Sequence, residues 1–152
     1  MTVAERISDG WNGVLNRIRD PKAAEVTGAE TEGFGHIRGQ HLLVVSFRHS
    51  GEPVPTPVWF GPEGGKLYFR SEERVAKVKR IRADPRVLVA PCDSRGKPLG
   101  PAAEGRARIL PASEEERAEA AIQANFGLGR KMYEGVAIGL GPKGVYVEVE
   151  PA

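Results

Sequence analysis

Seven basic residues fall in one stretch of the chain, between positions 70 and 86, together with three acidic residues. The stretch therefore has a net charge of +4 (7 − 3), whereas the whole chain is +2. Local positive charge on a nearly balanced protein suits a small anionic ligand better than a long polyanion. Lysine and arginine supply fixed charge and N–H donors to phosphate, and serine adds a hydroxyl. The candidate phosphate-binding residues are Arg70, Ser71, Lys77, Lys79 and Arg80.

The alternative interpretation of this stretch is an ordinary solvated helix. Ser71 predicts a helix N-cap, and Asp84-Pro85 predicts the helix end. Acidic residues suit the first turn of a helix, and Glu72 and Glu73 there would disfavour a bare anion at the helix start. Helix statistics alone therefore favour a surface helix, with Val75, Val78 and Ile81 forming its apolar edge.

Three prolines alternate along a predicted strand just before the basic stretch, at positions 53, 55 and 57. Proline has no backbone N–H, and alternate N–H groups of a strand point to the same edge, so one edge loses three donors. We expect that edge to lack a second strand partner and to face a flat ligand, beside Thr56 and the N–H of Val58 or Trp59. The alternative is that the prolines only protect a strand edge from aggregation.

The remaining pattern predicts about six strands and three helices. Short turns join most strands, which favours antiparallel pairing, and the helices are inserted between strands rather than alternating with them. A turn at 61–65 follows the second strand, residues 21–35 read as a loop, and Ser113 with Glu116 forms a capping box. The predicted strands are 41–48, 54–60, 66–70, 86–92, 103–110 and 145–149, and the predicted helices are 11–19, 71–83 and 114–126. The expected fold is mainly β with helices, a barrel with the helices packed outside.

Length and composition limit the function classes. A chain of 152 residues predicts a single domain, in which 1–35 form a helical and loop extension. Neither an export signal nor an apolar run of membrane-spanning length is present, and one cysteine permits no internal disulfide, so we expect a cytoplasmic protein. The low total charge disfavours nucleic-acid binding, and no membrane association is expected.

Other chemistry-bearing residues carry weaker signals. The sequence has no hydrolase elbow, no phosphate loop of the NTPase type and no dinucleotide fingerprint. The three histidines, His36, His41 and His49, have no cysteine pair beside them, and we expect no metal site. Cys92 follows a proline at a strand end and reads as a buried structural thiol rather than a nucleophile.

Four phrases of the sequence together resemble the flavin- and deazaflavin-binding split β-barrel, the superfamily of pyridoxamine 5'-phosphate oxidase. Within it, the chain is most similar to the deazaflavin (coenzyme F420)-dependent oxidoreductases. The resemblance covers residues 41–110 well, and it is more specific for the fold than for the cofactor, because relatives use FMN, FAD, deazaflavin or haem. The phrases are Pro-Val-Pro-Thr-Pro-Val-Trp-Phe (53–60), Lys-Val-Lys-Arg-Ile-Arg (77–82), Asp-Pro-Arg-Val (84–87) and Ala-Pro-Cys-Asp-Ser-Arg-Gly (90–96).

The resemblance implies a homodimer with cofactor sites between the subunits. It implies that Lys77, Lys79 and Arg80 bind the anionic tail of the cofactor, and that the ring lies near Thr56, Val58 and Trp59. The cofactor-binding residues expected in total are Thr56, Pro57, Val58, Trp59, Arg70, Ser71, Lys77, Lys79 and Arg80. The implied activity is hydride transfer from reduced coenzyme F420 to a small unsaturated substrate, with no catalytic side chain assigned. The alternatives are an FMN-dependent oxidoreductase and a non-catalytic flavin- or haem-binding protein.

Overall fold

The computed structural model describes residues 20–72, 76–126 and 144–152. Six antiparallel strands close into a barrel in the order β1-β2-β3-β6-β5-β4, and two α-helices lie outside the sheet, which confirms the predicted fold class. The strands are β1 (His41–Phe47), β2 (Pro53–Glu63), β3 (Lys66–Glu72), β4 (Arg86–Cys92), β5 (Ala103–Ile109) and β6 (Gly144–Pro151). The helices are α1 (Ala76–Ala83) and α2 (Ala112–Phe126), preceded by a 3₁₀ turn at Pro21–Glu25.

The barrel interior is filled by every second residue of each strand, because successive side chains of a strand point to opposite faces. Leu42 and Val44 of β1 lie there with Phe60 of β2, and all three are fully buried. Ile81 of α1 belongs to the same cluster, so the short basic helix packs its apolar side onto the barrel core. The other members include Val58, Leu67, Phe69, Val87, Val89, Ala103, Ala107, Val147 and Val149.

Helix α2 covers the outer face of β2, β3 and β6 and approaches β2 closely at Gly61. A Cβ atom at position 61 would lie 2.1 Å from the carbonyl oxygen of Ala121, so only glycine permits this contact. Ala118 and Ile122 of α2 pack with Tyr68 in a second cluster on this face. The absence of a side chain at Gly61 therefore allows the helix to pack closely on the sheet.

A buried carboxylate ties three strands together under α2. Glu148 of β6 is 5% exposed, and it accepts a hydrogen bond from the Tyr68 hydroxyl at 3.0 Å and one from Arg108 at 3.2 Å. Burial alone would raise the pKa of Glu148, but the hydrogen bonds from Tyr68 and Arg108 outweigh it, and the pKa is lowered. Burial and the neighbouring carboxylate raise the pKa of Tyr68.

Two predicted boundaries were wrong because pairing with a neighbouring strand extends the strand beyond them. Strand β2 continues through Pro62, which pairs with Leu67, and the reversal is a two-residue turn at Gly64-Gly65 with φ of +60° and +77°. Ser71 is not a helix cap. It lies within β3, where it pairs with Val145 of β6.

Two further predictions were wrong at the chain's helical segments. Ser113 lies inside α2 rather than at its cap, and Pro21–Glu25 forms a 3₁₀ turn where a loop was expected. The predicted helix 11–19, Glu73 and Val75 lie outside the described residues.

Candidate functional site: the split between β2 and β3

The sheet opens between β2 and β3 after only four pairs. The β2–β3 ladder runs from Glu63↔Lys66 to Phe60↔Phe69 and stops there. Beyond it, and counting only the described strands, residues 53–59 of β2 pair with β1, residues 70–72 of β3 pair with β6, and the two segments do not pair with each other. Two open strand edges therefore flank a gap in the barrel wall, and we call this gap the split.

The predicted ring-binding residues lie on the β2 side of the split but do not share one face. Val58 belongs to the barrel core, and strand alternation places Thr56 on the same inner face. Pro57 and Trp59 lie on the outer face. The four residues share only their position along the open edge of β2. On this side of the split, a ligand would therefore meet backbone groups more than side chains.

Two contacts fix the Trp59 side chain on the outer face. Its Nε1 donates a hydrogen bond to Nε2 of His41 at 2.9 Å, and its ring lies 5.3 Å from the ring of Phe126 at the end of α2. The bond requires an unprotonated Nε2, and burial lowers the pKa of His41 against a smaller opposing effect of Asp93. Trp59 is thus a packed residue next to the split.

Arg70 and Ser71 lie on the β3 side of the split and point to opposite faces. Ser71 is 9% exposed and follows Phe69 by two residues, so its side chain faces inward. The Arg70 guanidinium lies over Gly144 of β6, where a Cβ atom would come within 2.3 Å of it. The structure therefore brings Ser71, but not the Arg70 guanidinium, to the inner side of the split.

Lys77 is a buried cation at the same opening. Its side chain is on α1, the residue is only 9% exposed, and Nζ lies 5.7 Å from the centre of the Phe69 ring. Phe69 closes the β2–β3 ladder, so the ammonium group lies next to the point where the two strands part. A buried lysine is uncommon, and a contact with an aromatic face offsets part of its desolvation.

Lys79 and Arg80 belong to a different surface of α1. They line an open groove of about 430 Å³ together with Phe47, Arg48 and His49 at the end of β1, and with Ala83 and the acidic Asp84 at the end of α1. Arg80 donates from Nε to the Ser46 hydroxyl at 2.8 Å, which holds its guanidinium against β1. The predicted phosphate-binding set thus separates into Ser71 and Lys77 at the split, and Lys79 and Arg80 in the groove.

The sequence analysis did not identify several residues that contact the predicted cations at the split and in the groove. Ser46 is 1% exposed and positions Arg80, and Phe69 supports Lys77, yet each lies in an ordinary alternating strand without a distinctive pattern. Arg48 and His49 sit in a polar turn that carries no motif. Only the closing of the barrel brings β1 against α1, so no local signal could have identified them.

Cys92 is buried, as expected for a structural thiol. It is 4% exposed, and burial, with a smaller effect of Asp93, raises its pKa to about 12. A thiol with that pKa carries almost no thiolate near neutrality and is a poor nucleophile. No group of three or more metal-ligating side chains occurs within the ranges described above.

A closed antiparallel barrel of six strands, with helices outside and one split between neighbouring strands, defines the split-barrel class of proteins. The family model described as pyridoxamine 5'-phosphate oxidase matches residues 35–143, well over half of the chain, and the protein belongs to that family. No curated protein matches the sequence.

Solved structures with the same fold have diverse ligands. The haem storage protein HutZ of Vibrio cholerae is 11% identical over 74% of this chain and 82% of its own, with a TM-score of 0.57. An FAD-binding protein of Mesorhizobium loti is 17% identical over 74% and 78%, with a TM-score of 0.53. A haem-binding protein of Mycobacterium smegmatis is 18% identical over 87% and 51%, with a TM-score of 0.52. These similarities show the shared fold.

None of the helices in the described ranges combines the length and the apolar character needed to cross a bilayer.

Proposed function

We propose that this protein is an oxidoreductase that uses reduced coenzyme F420, or alternatively FMN, to reduce a small unsaturated organic substrate. The observation that carries the proposal is the split, where an open, proline-containing strand edge lies beside the buried cation Lys77. The family membership and the four F420-oxidoreductase-like phrases of the sequence support the same reading.

The residues at the split fit a flat ring with an anionic tail. Open edges of β2 and β3 offer backbone hydrogen-bonding groups to a planar heterocycle, whereas Lys77 and the Ser71 hydroxyl offer charge and a donor to phosphate. Lys79 and Arg80 then serve a more distant anionic part of the ligand along the groove. Arg70 contributes through its backbone, because its guanidinium lies over Gly144.

The chemistry that the bound cofactor supplies is transfer of a hydride from its reduced ring carbon to an electron-poor double bond. The residues of this chain bind and orient the ring and exclude water from it. Holding two reactants in contact replaces much of the entropic cost of a bimolecular step. We assign no side chain as a general acid or base, and the catalytic role rests on positioning.

The decisive experiment is a pair of parallel fluorescence titrations with coenzyme F420 and FMN. We expect saturable binding of at least one, with F420 the tighter, followed by oxidation of reduced F420 in the presence of a quinone or enone. If neither cofactor binds, the proposal is wrong. If FMN binds and F420 does not, the FMN-dependent alternative replaces it.

A second candidate is a non-catalytic flavin or haem carrier. It is supported by the haem storage and haem-binding proteins that share this fold, and by the lack of an assigned acid or base at the split. Tight binding of haem or flavin without turnover across a panel of quinones, enones and nitro compounds would favour it over the enzyme.

We also propose a homodimer in the cytoplasm, with each cofactor site completed by the partner subunit. In the part of the chain that the structure describes, the site is a gap between two strands rather than an enclosed cavity, which fits a second chain closing it. Sedimentation at micromolar concentration should give twice the 16.4 kDa mass of one chain.

A further inference from the structure

The backbone groups of β2 alternate between its two edges, and its prolines show which residues face β1. In an antiparallel strand, the N–H and C=O of one residue point to the same side, and the side alternates along the chain. Proline has no N–H for a ladder, so the ladder with β1 uses Val54, Thr56 and Val58. The N–H of Val58 therefore faces β1 rather than a ligand. By the same alternation, the carbonyl of Phe60 also faces the side of β1.

The carbonyl of Phe60 lies just past the end of the ladder with β1. That ladder ends at the pair His41↔Trp59, so Gln40 and Phe60 do not form its next pair. The carbonyl does not face β3 either. The hairpin turn between β2 and β3 closes on Glu63, which faces β3, and alternation turns Phe60 to the opposite edge. Strand pairing alone would thus leave this carbonyl without a donor.

Asn125, near the end of α2, supplies the donor. Its Nδ2 donates to the Phe60 carbonyl at 2.8 Å, and also at 2.8 Å to the carbonyl of Gly39, on the chain that leads into β1. A carboxamide nitrogen carries two N–H groups, and only this end of the side chain can bind two carbonyl oxygens. Asn125 therefore takes the place of a missing pair in the β1–β2 ladder and ties both chains to α2.

The hydrogen bond to Phe60 lies at the closed end of the split. Phe60↔Phe69 is the last pair before β2 and β3 part. The residue after Asn125, Phe126, places its ring 5.3 Å from the ring of Trp59. Two consecutive residues of α2 therefore hold two consecutive residues of β2 at the point where β2 leaves β3.

We infer that Asn125 is a positioning residue for the split, which fixes the separation of the β2 and β3 edges. The inference rests on the proposed function, in which those two edges bind the ligand. Asn125 acts from the edge of β2 that faces β1, opposite to the split, so it does not contact the ligand itself. When its hydrogen bonds are lost, β2 is free to take other positions. Ligand affinity then falls in proportion to the fraction of molecules whose edges are correctly placed.

The test is the substitution Asn125→Asp, which keeps the shape of the side chain but turns both donors into a carboxylate. Gln123→Glu is the matched control, because it makes the same chemical change on the same helix, and Gln123 donates to Glu119 of α2 rather than to a strand. The control also corrects for repulsion between an added negative charge and an anionic cofactor. Fluorescence titration gives the affinity for FMN or F420, whichever the wild type binds, under conditions where circular dichroism shows each protein to be folded.

At pH 8 we expect Asn125→Asp to bind at least about tenfold more weakly than the wild type, and Gln123→Glu to stay within about twofold. Two facing carbonyl oxygens raise the pKa of the new carboxyl, and its protonated form regains one O–H donor. The ratio of its affinity to that of the wild type should therefore recover as the pH is lowered to about 5. A role in packing alone would give no such recovery, because the two side chains have the same shape.

Three results would overturn the inference and leave the proposed function standing. They are unchanged affinity in Asn125→Asp, an equal loss in Gln123→Glu, and a loss that does not recover at low pH. If Asn125→Asp does not fold, Asn125→Ala replaces it, and unchanged affinity in that variant overturns the inference equally. Failure of the wild type to bind either FMN or F420 would instead remove the proposed function itself.

Discussion

Phe60 of β2 and Phe69 of β3 form the last pair of their ladder, and the Lys77 ammonium lies 5.7 Å from the centre of the Phe69 ring. One pair of aromatic residues therefore marks both the place where the barrel wall opens and the place where a buried cation is held. The arrangement places a buried positive charge next to the opening between the two strands.

Lys77→Met tests the cation at the split. Methionine keeps most of the buried stem but removes the charge, so we expect the dissociation constant of the bound cofactor to rise at least about tenfold with little loss of stability. Lys97→Met, in an exposed turn, is the matched control and should leave binding unchanged. Cofactor fluorescence titration measures both, and an unaltered affinity in Lys77→Met would take Lys77 out of the site.

Glu148→Gln tests the buried carboxylate under α2. The substitution weakens three charge-assisted hydrogen bonds, from Tyr68, Arg108 and Lys66, and we expect the free energy of unfolding at pH 7 to fall by about 1–3 kcal/mol. Glu150→Gln, on the same strand with a side chain 48% exposed, is the control and should change it little. Urea denaturation followed by circular dichroism gives the comparison.

The lowered pKa of Glu148 sets the direction of its pH dependence. A carboxyl whose folded pKa is lowered contributes stability above its unfolded pKa of 4.5, and that contribution is lost as the pH falls through the folded value. The wild type should therefore lose more stability than Glu148→Gln as the pH falls below about 4.5. If the free energy of unfolding of the two proteins falls equally with decreasing pH, Glu148 is not the group responsible for the acid sensitivity.

Gly61→Ala tests the close approach of α2 to β2. The new Cβ would lie 2.1 Å from the Ala121 carbonyl oxygen, so the helix must move away, and overpacking of this kind costs about 1–3 kcal/mol. Gly35→Ala is the control, since nothing lies within 4 Å of its Cβ position and its φ is not positive. Thermal unfolding should show a clear decrease for the first variant and almost none for the second.

The hydrogen bond from Trp59 to His41 predicts a pH-sensitive fluorescence signal. Burial lowers the pKa of His41, so its contribution to stability is present above the unfolded value of 6.5 and is lost as the pH falls through the folded value. In a Trp11→Phe background, Trp59 emission should therefore change below pH 6.5.

His41→Gln is the matched variant, because its amide oxygen accepts from the indole but does not titrate. The pH-dependent change in Trp59 emission should disappear in this variant while the emission at pH 8 stays close to the wild type. A transition that persists in His41→Gln would assign the signal to another group.

The sequence by itself determined the sheet and most of its elements. Alternating apolar residues such as Leu42 and Val44 predicted strands, since period-two burial needs no information from elsewhere in the chain. The three prolines predicted an edge without a second strand, because a missing N–H is a property of the residue wherever it folds. The one-domain, homodimer and site-residue predictions remain predictions.

Only the tertiary structure decided which way the candidate site residues face. Ser71 was predicted as a helix cap from its own side chain, but pairing with Val145 extends β3 through it. Lys77 and Lys79 looked equivalent in the sequence, and they separate because one turns toward Phe69 and the other toward the end of β1. Long-range pairing between strands and the docking of α1 on the closed barrel set these directions, and no local pattern encodes either of them.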